Sequence, residues 1–417
     1  EIGVTIMYYS NGFNKTKYTA AFIIIIVSLI LLSQTWLQYS PRRWNEDLRM
    51  QKIAKVHKMR LQHIHKMCQE HDVRKVGAGV QNNIFNVELS EGKHVIFCPI
   101  AKVGTTFFGR LFGILQMNQP IDDMYNMSVF AGSRYHKYQT FNEIEENVRR
   151  ETPKMIFVRH PESRIVSAYL DKIYGIGAFR QRIPAYLKSV RPNNTEKSFI
   201  CGSDVSFDLF LEIVLKDTRN GHGNRHWMPA YSRCFACSID YDIIGKMETF
   251  NDDLQYAMHL AGYKDFPEVT TTNTAKLESI KREIEKLFRA HKNAKFPSPE
   301  CSFTMGEGYD RVWSILKIHG LLNKNTIIPP SKTILGYIDN TTVAEVSKLV
   351  KNDPIFVRQY QKAEKDMQDY VLRMHKTQDP NGEKYNAIEY LFRNISEETK
   401  ARLKEAYKYD YLLFGYE

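Results

Sequence analysis

The stretch AKVGTT at residues 101–106 joins an apolar run, HVIFCPI at 94–100, to a second apolar run, FFGRLFGIL at 107–115. The first run is typical of a buried β-strand and the second of a helix packed against it. The same succession recurs where MIFV at 155–158 gives way to RHPESRIVSAY at 159–169. Alternating strands and helices are typical of a parallel sheet covered by helices. We therefore predict an α/β fold with a central parallel sheet flanked by helices.

Both junctions are suited to bind a phosphate group. The N–H groups and the dipole of a helix N-terminus attract anions, and Lys102 adds a full positive charge. In the second junction the Arg159 guanidinium can bind a phosphate through two hydrogen bonds, with the Ser167 hydroxyl as a neutral donor. Two such turns in one sheet predict one ligand with two phosphate groups. The structural alternative is that Arg159 pairs with Glu162 or caps a helix.

The first turn does not follow the Walker A pattern. Lys102 precedes Gly104, and the sequence contains no evident Asp motif for Mg²⁺. A nucleotide kinase is therefore disfavoured.

The composition is that of a globular protein with a basic surplus. The 417 residues are 43% hydrophobic and 12% aromatic, and the net charge is +11. Such a charge favours polyanionic partners, namely nucleic acid, an anionic membrane, or sulfated and uronic-acid glycans. A basic surface that serves only solubility is the alternative.

Residues 18–37 form a stretch of twenty residues without a charged side chain, which is long enough to cross a bilayer as a helix. Nearly all of the chain follows this stretch and contains no second one. We therefore predict a cytoplasmic tail at 1–17, a transmembrane signal anchor at 18–37 and a lumenal remainder. A cleaved signal peptide is the alternative, but SQT at 33–35 is a poor cleavage site.

Sequons and cysteines agree with a secretory location. Four sequons follow the predicted anchor and begin at Asn126, Asn193, Asn340 and Asn394. The cysteines all follow the predicted anchor: Cys68, Cys98, Cys201, Cys234, Cys237 and Cys301. Cys234 and Cys237 have the spacing of half a zinc site or of a redox pair, but no second pair in the sequence completes a metal site, and an oxidising lumen favours disulfides. We predict structural disulfides, with the pairing left open, and no metal.

The rest of the chain divides by composition. Residues 38–92 form a basic stem whose apolar positions recur at helical spacing, as in an amphipathic helix or a short coiled coil. A globular domain is predicted for 93–417, with a third strand at 241–246. A mainly helical segment follows at 270–385. The end, 396–417, is typical of a helix that leads into a terminal strand or a buried tail.

Together the two turns resemble the motifs of the Golgi carbohydrate sulfotransferases, the family that includes the chondroitin, dermatan and N-acetylgalactosamine 4-O-sulfotransferases. These enzymes use 3′-phosphoadenosine 5′-phosphosulfate (PAPS) as sulfate donor. Residues 101–106 resemble the family's 5′-phosphosulfate loop, and 157–169 resemble its 3′-phosphate motif. The block at 226–249 and the ending at 407–416 are also similar to the family.

The resemblance implies a P-loop-like sulfotransferase fold, PAPS as donor, and a single-pass type II protein of the Golgi membrane whose catalytic domain is lumenal. It implies that Lys102 neutralises the leaving 5′-phosphate, while Arg159 and Ser167 hold the 3′-phosphate. The residues implied for the donor loop are Lys102, Val103, Gly104, Thr105 and Thr106.

Transfer to a sugar hydroxyl also needs a general base that works near neutral pH, for which histidine is suited. His136, between the two phosphate motifs, and His226 are the candidates, although a purely structural histidine is an equally good interpretation of each. His160 is expected to pack beside the loop. Glu248 is a further candidate, with an ion pair to Lys246 as its structural alternative.

The chain departs from the family pattern around the first turn. Ala101 stands where the family usually has proline, and FFG at 107–109 replaces an Asn-Trp-Lys-like run. The segment 270–385 looks like an insertion, because the resemblance covers about 93–263 and 390–416.

The sequence therefore predicts PAPS-dependent sulfation of a glycan hydroxyl, with a glycosaminoglycan or an N-acetylgalactosamine-containing glycan as acceptor and no nucleic acid partner. A catalytically inactive, membrane-anchored glycan-binding protein on the same fold is the alternative. The oligomeric state is left open.

Overall fold

The structure of the chain, a computed structural model, describes residues 15–73, 84–127, 137–139, 141–175, 182–192, 202, 205–219, 223–264, 266–267, 273–293 and 302–417. Within these ranges the side chains at 15–24, 29–45, 137–139, 273, 290–293 and 343 are not described. The chain divides into two compact units, residues 1–56 and 57–417. The second unit contains both predicted phosphate-binding turns.

Within the described residues, five strands form one mixed sheet: β1 (Ile84–Glu88), β2 (His94–Cys98), β3 (Lys137–Gln139), β4 (Lys154–Val158) and β5 (Ile243–Lys246). Their order across the sheet is β3-β1-β2-β4-β5. β2, β4 and β5 run parallel to one another, whereas β1 pairs antiparallel with both β2 and β3.

The prediction of a parallel sheet is right for the three strands β2, β4 and β5 and wrong for the edge formed by β1 and β3. The cause is the connection between β1 and β2, a turn at Ser90–Gly92. Glu91 and Gly92 there have φ angles of 61° and 69°, the left-handed backbone of a tight reversal. So short a connection can join only antiparallel neighbours, since a parallel pair needs a crossover of about a dozen residues or more.

Helices cover the sheet and continue beyond it. The helices before β5 are α1 (Lys15–Glu70), α2 (Thr105–Gln116), α3 (Glu146–Glu151), α4 (Pro161–Ala168), α5 (Ile183–Val190), α6 (Phe207–Arg219) and α7 (Ala230–Arg233). Those after β5 are α8 (Phe250–Leu260), α9 (Asn273–Asn293), α10 (Met305–Ile318), α11 (Ser331–Leu335), α12 (Val343–Asn352), α13 (Pro354–Thr377), α14 (Ala387–Phe392), α15 (Glu397–Ala406) and α16 (Lys408–Phe414). α4 runs directly into a π-helical turn, Tyr169–Tyr174.

The predicted membrane anchor at 18–37 lies within α1. Among the parts of the chain that the structure describes, no helix combines the length and the apolar character needed to span a membrane.

The central strands are buried on both faces, as expected for parallel strands covered by helices. Phe97 of β2 and Phe157 of β4 are buried. Both rings pack against Phe108 of α2, with centroid separations of 4.6 and 4.7 Å. Aromatic pairs at such distances stabilise a contact beyond the area they bury. They hold α2, and with it the turn at 101–104, against the sheet.

Two disulfides tie the early part of the second unit to the segment before β5. Cys98, the last residue of β2, bonds to Cys234, and Cys68 of α1 bonds to Cys237. The partners are 136 and 169 residues apart, and cross-links over long loops restrict the unfolded chain most. Structural disulfides are thus confirmed for these four cysteines. The other two, Cys201 and Cys301, lie outside the described residues.

The helices α9 to α13 pack around a core of their own, and we call them the helical lobe. Its buried side chains include Phe288, Tyr309, Trp313 and Met367. The helical character predicted for 270–385 is therefore confirmed. Capping boxes fix the starts of α10 and α12, formed by Thr304 with Glu307 and by Thr342 with Glu345.

The C-terminal stretch is a buried helix rather than a strand. In α16 the buried residues are Asp410, Tyr411, Leu413 and Phe414. That spacing matches one face of a helix and not the alternation of a strand. The expected terminal strand is wrong, whereas the expected buried tail is confirmed.

Asp410 joins this helix to two distant parts of the unit. Its carboxylate accepts hydrogen bonds from the backbone N–H groups of Ala230 and Tyr231, at 2.7 and 2.8 Å. It also lies 4.0 Å from the guanidinium of Arg164 in α4, and both side chains are almost completely buried. A buried charge is tolerated only when it is paired and hydrogen-bonded, so Asp410 and Arg164 depend on each other.

We expect Asp410→Ala to lower the free energy of unfolding by about 3–5 kcal/mol, because it leaves the buried Arg164 charge with the Met228 carbonyl but without a carboxylate partner. Glu405→Ala is the control. Glu405 is an exposed residue in the preceding helix that pairs with Lys408, and its loss should cost about 0.5 kcal/mol or less. Urea unfolding of the two variants measures the difference, and equal losses would contradict the role assigned to Asp410.

Candidate functional site

The two predicted phosphate-binding turns are neighbours in space. β2 and β4 are adjacent parallel strands, with Cys98 opposite Ile156. Their carboxyl ends therefore meet at one edge of the sheet, where both turns begin. The Arg159 guanidinium reaches across, with Nη1 lying 3.5 Å from the carbonyl oxygen of Lys102. The structure thus brings together the basic side chains that were predicted to bind one ligand.

Backbone conformation shapes the first turn. Lys102 and Gly104 both have left-handed backbone, with φ angles of 71° and 64°. Val103 between them is fully buried, and its N–H donates to the Ile100 carbonyl at 3.2 Å. This buried residue anchors the turn, while Thr105 begins α2 directly after it.

The first turn has the two features that were predicted for a phosphate-binding site, namely the N-terminus of a helix, α2, and the side chain of Lys102. Thr105 and Thr106 lie half-buried in the first turn of α2. The N–H groups of a first helical turn have no partner within the helix, so they are available to an anion.

Lys102 belongs to a group of three lysines around one carboxylate, which we call the lysine cluster. Lys102 Nζ lies 2.7 Å from Asp171 Oδ2, and Lys172 Nζ lies 3.1 Å from the same oxygen. Lys286 Nζ of α9 lies 2.6 Å from the other oxygen, Oδ1. Asp171 itself sits in the π-helical turn after α4.

The charges of this cluster leave a surplus of positive charge. Burial lowers the pKa of Lys102 to about 8, although the Asp171 carboxylate opposes that shift. Burial would raise the pKa of Asp171, but Lys102, Lys286 and Lys172 hold it well below its ordinary value. Asp171 is therefore ionised at neutral pH, and even with the Glu283 carboxylate, 2.7 Å from Lys286 Nζ, two carboxylates face three lysines. The site attracts anions.

The second turn is braced by Glu248, which follows β5. One Glu248 oxygen accepts a hydrogen bond from the His160 N–H at 2.9 Å, and the other accepts from the Tyr416 hydroxyl at 3.0 Å. The predicted alternative partner, Lys246, instead lies 4.3 Å from the centre of the Tyr416 ring. The His160 ring packs edge-on against Tyr411 and Tyr416, as expected of a packing residue.

Arg159 and Ser167 occupy the two ends of this second motif. Burial lowers the pKa of Arg159, whereas the nearby Glu248 carboxylate and Tyr416 raise it; arginine stays protonated in proteins regardless. Ser167 is half-buried on α4. The structure assigns both residues to the segment that follows β4, beside the first turn.

Of the two candidate histidines, His226 is the one that the structure describes. Burial, followed by the charges of Lys172 and Lys102, lowers its pKa to about 3. The imidazole is therefore neutral at physiological pH and stands within the field of the lysine cluster. His136 lies outside the described residues.

Sequence reasoning missed three parts of the site, namely Asp171, Lys286 and His319. Asp171 had a local signal, since it lies only four residues after Ser167 in the second motif. Lys286 and His319 had none, because they belong to the helical segment that matched no motif. The His319 side chain keeps some contact with solvent although protein atoms surround it. Its partial desolvation lowers its pKa to about 4. The Glu283 carboxylate opposes this shift, whereas the charges of Lys102 and Arg159 add to it.

Comparison with known proteins places this site in a family. The model of the Sulfotransferase family matches residues 86–298, more than half of the chain. The chain belongs to the sulfotransferase family. The matched region includes both turns and β5, and it extends into the predicted insertion far enough to contain α9.

Individual relatives narrow the family further. Carbohydrate sulfotransferase 11 of Rattus norvegicus is 26% identical over 273 residues, which cover 62% of this chain and 78% of the relative. Carbohydrate sulfotransferase 9 of Homo sapiens is 32% identical over 179 residues, 41% of this chain and 40% of the relative. Carbohydrate sulfotransferase 8 of Mus musculus is 25% identical over 264 residues, covering 61% and 63%. By class this sulfotransferase is a carbohydrate O-sulfotransferase. No solved structure matches it significantly.

We expect Gly104→Ala to destabilise the sulfotransferase by about 1–2 kcal/mol through its left-handed backbone. Space is not the obstacle, because an added Cβ would approach Phe108 and Met247 no closer than 3.6 Å. Gly104→Asn should cost less, since asparagine tolerates this backbone.

Gly109→Ala in α2 is the matched control for that pair. A Cβ there meets nothing within 4 Å, so the variant should be neutral or more stable by about 0.5–1 kcal/mol. Denaturant unfolding of all three variants ranks them. A greater loss for Gly104→Asn than for Gly104→Ala would contradict the backbone explanation.

Proposed function

We propose that this protein transfers the sulfuryl group of PAPS to a hydroxyl of a glycan, giving a carbohydrate sulfate and adenosine 3′,5′-bisphosphate. The observation that carries the proposal is the contact between the two basic turns, with Lys102 in a buried cationic cluster and Arg159 beside it. A donor with phosphate groups at both ends of its ribose needs two such sockets side by side.

The described residues fit the donor chemically. Lys102, with the N–H groups at the start of α2 and the hydroxyls of Thr105 and Thr106, would hold the 5′-phosphosulfate end. Arg159 and Ser167 would hold the 3′-phosphate. The donor supplies an activated sulfuryl group, and the protein needs no metal for that purpose.

The chemical step follows from the demands of group transfer. The acceptor oxygen forms a bond to sulfur while the bond between sulfur and the 5′-phosphate oxygen breaks, so negative charge grows on that phosphate. Catalysis of this kind consists mostly of positioning and electrostatic stabilisation. The Lys102 ammonium and the α2 N–H groups would stabilise the growing charge.

A base must also accept the proton of the acceptor hydroxyl, and His226 is our candidate among the described residues. Its neutral imidazole can accept a proton. The pKa of His226 is lowered mainly by burial and by Lys172 and Lys102, and a bound anion would offset the effect of those lysines. Donor binding would therefore raise its basicity. His136 is kept as the second candidate on the sequence alone.

The names of the relatives support a carbohydrate as acceptor. The net charge of +11 suits a polyanionic glycosaminoglycan, and an N-acetylgalactosamine-containing glycan is the second acceptor class. We further propose a Golgi location with residues 18–37 as signal anchor, the domain lumenal and no nucleic acid partner. A catalytically inactive glycan-binding protein gains little support, because Lys102 and Arg159 are both in place at the two turns, although Gly109 stands where the family run has a lysine.

Lys102→Ala should lower kcat for sulfation by about 100- to 1000-fold, because it removes the charge that stabilises the leaving phosphate. Arg159→Ala should instead raise the KM for PAPS by about 10- to 100-fold through the lost charged hydrogen bonds. The assay follows label from PAPS into a panel of desulfated glycans. Lys362→Ala, an exposed residue paired with Asp366, should behave as wild type.

Label transfer that survives Lys102→Ala unchanged would contradict this assignment. Glycan binding without any transfer by the wild type would favour the inactive glycan-binding protein instead.

Donor affinity should depend on pH through Lys102. Its pKa of about 8 means that the ammonium form prevails below pH 8, and an anion prefers that form. Affinity for adenosine 3′,5′-bisphosphate should therefore be full below about pH 8 and fall as the pH rises through that value. Calorimetric titrations between about pH 7 and about pH 10 measure the profile. Lys102→Arg keeps its charge throughout, so its profile should be flat, and a fall identical to wild type would exclude Lys102 as the titrating group.

A further inference from the structure

Lys286 brings the helical lobe into contact with the candidate site. Lys286 lies on α9, and its Nζ is 2.6 Å from Asp171 Oδ1 and 2.7 Å from Glu283 Oε1. Its side chain is 24% exposed, so Lys286 borders solvent and is not sealed in a core. At this residue the helical lobe meets the π-helical turn that carries Asp171, which in turn contacts Lys102.

A second contact fixes the lobe at the same place. Arg311 of α10 donates a hydrogen bond to the Tyr174 carbonyl at 3.3 Å, and its guanidinium lies 5.2 Å from the centre of the Tyr174 ring. Tyr174 ends the π-helical turn that carries Asp171. The lobe therefore contacts that turn at two points, through Lys286 at Asp171 and through Arg311 at Tyr174.

The geometry around Asp171 resembles that of a bound anion. One carboxylate oxygen accepts from Lys102 at 2.7 Å, and the other accepts from Lys286 at 2.6 Å. The two oxygens of a carboxylate are separated much like two oxygens on one phosphorus or sulfur atom. An oxyanion of the donor could thus bind both ammonium groups in the way that Asp171 binds them.

We propose that Lys286 is a donor-binding residue that grips the phosphosulfate end of PAPS together with Lys102, and that Asp171 is an internal counterion which the donor replaces on these two lysines. This inference rests on the proposed function, because it assigns a residue of the helical lobe to the same donor. The lobe is then a wall of the donor site.

The rival interpretation is structural, in that Lys286 would serve only to neutralise Asp171 and to dock the lobe. The two roles differ in a way that a double-mutant cycle detects. A lysine that affects the donor only by neutralising Asp171 loses that effect once Asp171 is neutral, and one that acts through Glu283 and the fold should weaken the binding of both nucleotides alike. A donor-binding lysine is needed in either background.

The experiment compares Lys286→Met, Asp171→Asn and the double variant in the full chain. Calorimetry measures the affinity of each for adenosine 3′,5′-bisphosphate and for adenosine 3′-monophosphate, which lacks the 5′ group. Lys286→Met should weaken bisphosphate binding by about 10- to 100-fold in both backgrounds, as expected for a charged hydrogen bond, and leave monophosphate binding unchanged. Lys281→Met, on the same helix and paired with Glu278, is the matched control.

Two outcomes would overturn the inference. One is an effect of Lys286→Met that vanishes in the Asp171→Asn background; the other is equal weakening of both nucleotides. If Asp171→Asn does not fold, the nucleotide comparison in the wild-type background still decides. If the wild type transfers sulfate and Lys286→Met binds the bisphosphate as tightly as the wild type, the role of Lys286 is refuted and the proposed function is not. If the wild type binds neither nucleotide, PAPS is not its donor, and both the proposed function and the role of Lys286 are refuted.

Discussion

The parallel pairing of β2 with β4 is the constraint on which the rest of the site depends. Because Cys98 lies opposite Ile156, the chain leaves both strands at the same edge and at nearly the same height. Lys102 and Arg159 follow within a few residues, so the Arg159 guanidinium comes to lie beside the Lys102 backbone carbonyl. An antiparallel pairing would have sent the two turns to opposite edges. β5 also pairs parallel with β4, so Glu248, two residues after the end of β5, lies at the same edge.

Positively charged side chains come close together in the site, and Asp171 offsets part of their repulsion. Ammonium groups brought together in a partly buried space repel one another and lose hydration. A carboxylate shared among Lys102, Lys172 and Lys286 offsets part of that cost. Its place in a π-helical turn is informative, since such turns are rare and frequent at functional sites. The protein thus keeps its cationic groups assembled without neutralising the field that draws in an anion.

Short sequence patterns were enough to predict those parts of the site whose residues are close together in the chain. Each turn combines a strand, a basic residue and a helix start within about a dozen residues, so Lys102 and Arg159 could be found, and parallel strands predicted that they would meet. The same reasoning could not find Lys286, because it meets Asp171 across 115 residues and lies in a helix whose spacing resembles any amphipathic helix.

Other differences have equally physical causes. β1 could not be predicted because a short strand that is joined to its neighbour by a tight turn has no crossover helix beside it in the sequence. The end of the chain was ambiguous because a short apolar run fits a strand and a helix alike, and only the packing of Asp410 against Ala230 and Arg164 decides between them. The charged surroundings of His226 depend on side chains from several elements, so no single stretch of sequence contains them.

The C-terminal helix also dictates when the domain can be finished. Asp410 meets Ala230 across 180 residues, and Tyr416 meets Glu248 across 168. Since a ribosome builds the chain from the other end at about 5–20 residues per second, the second turn waits on the order of ten seconds or more for the residues that brace it. Throughout that interval the emerging chain holds Arg164 without its carboxylate. Loss of α16 would make the unfinished state permanent, so the short segment Lys408–Phe414 governs the integrity of a site encoded far upstream.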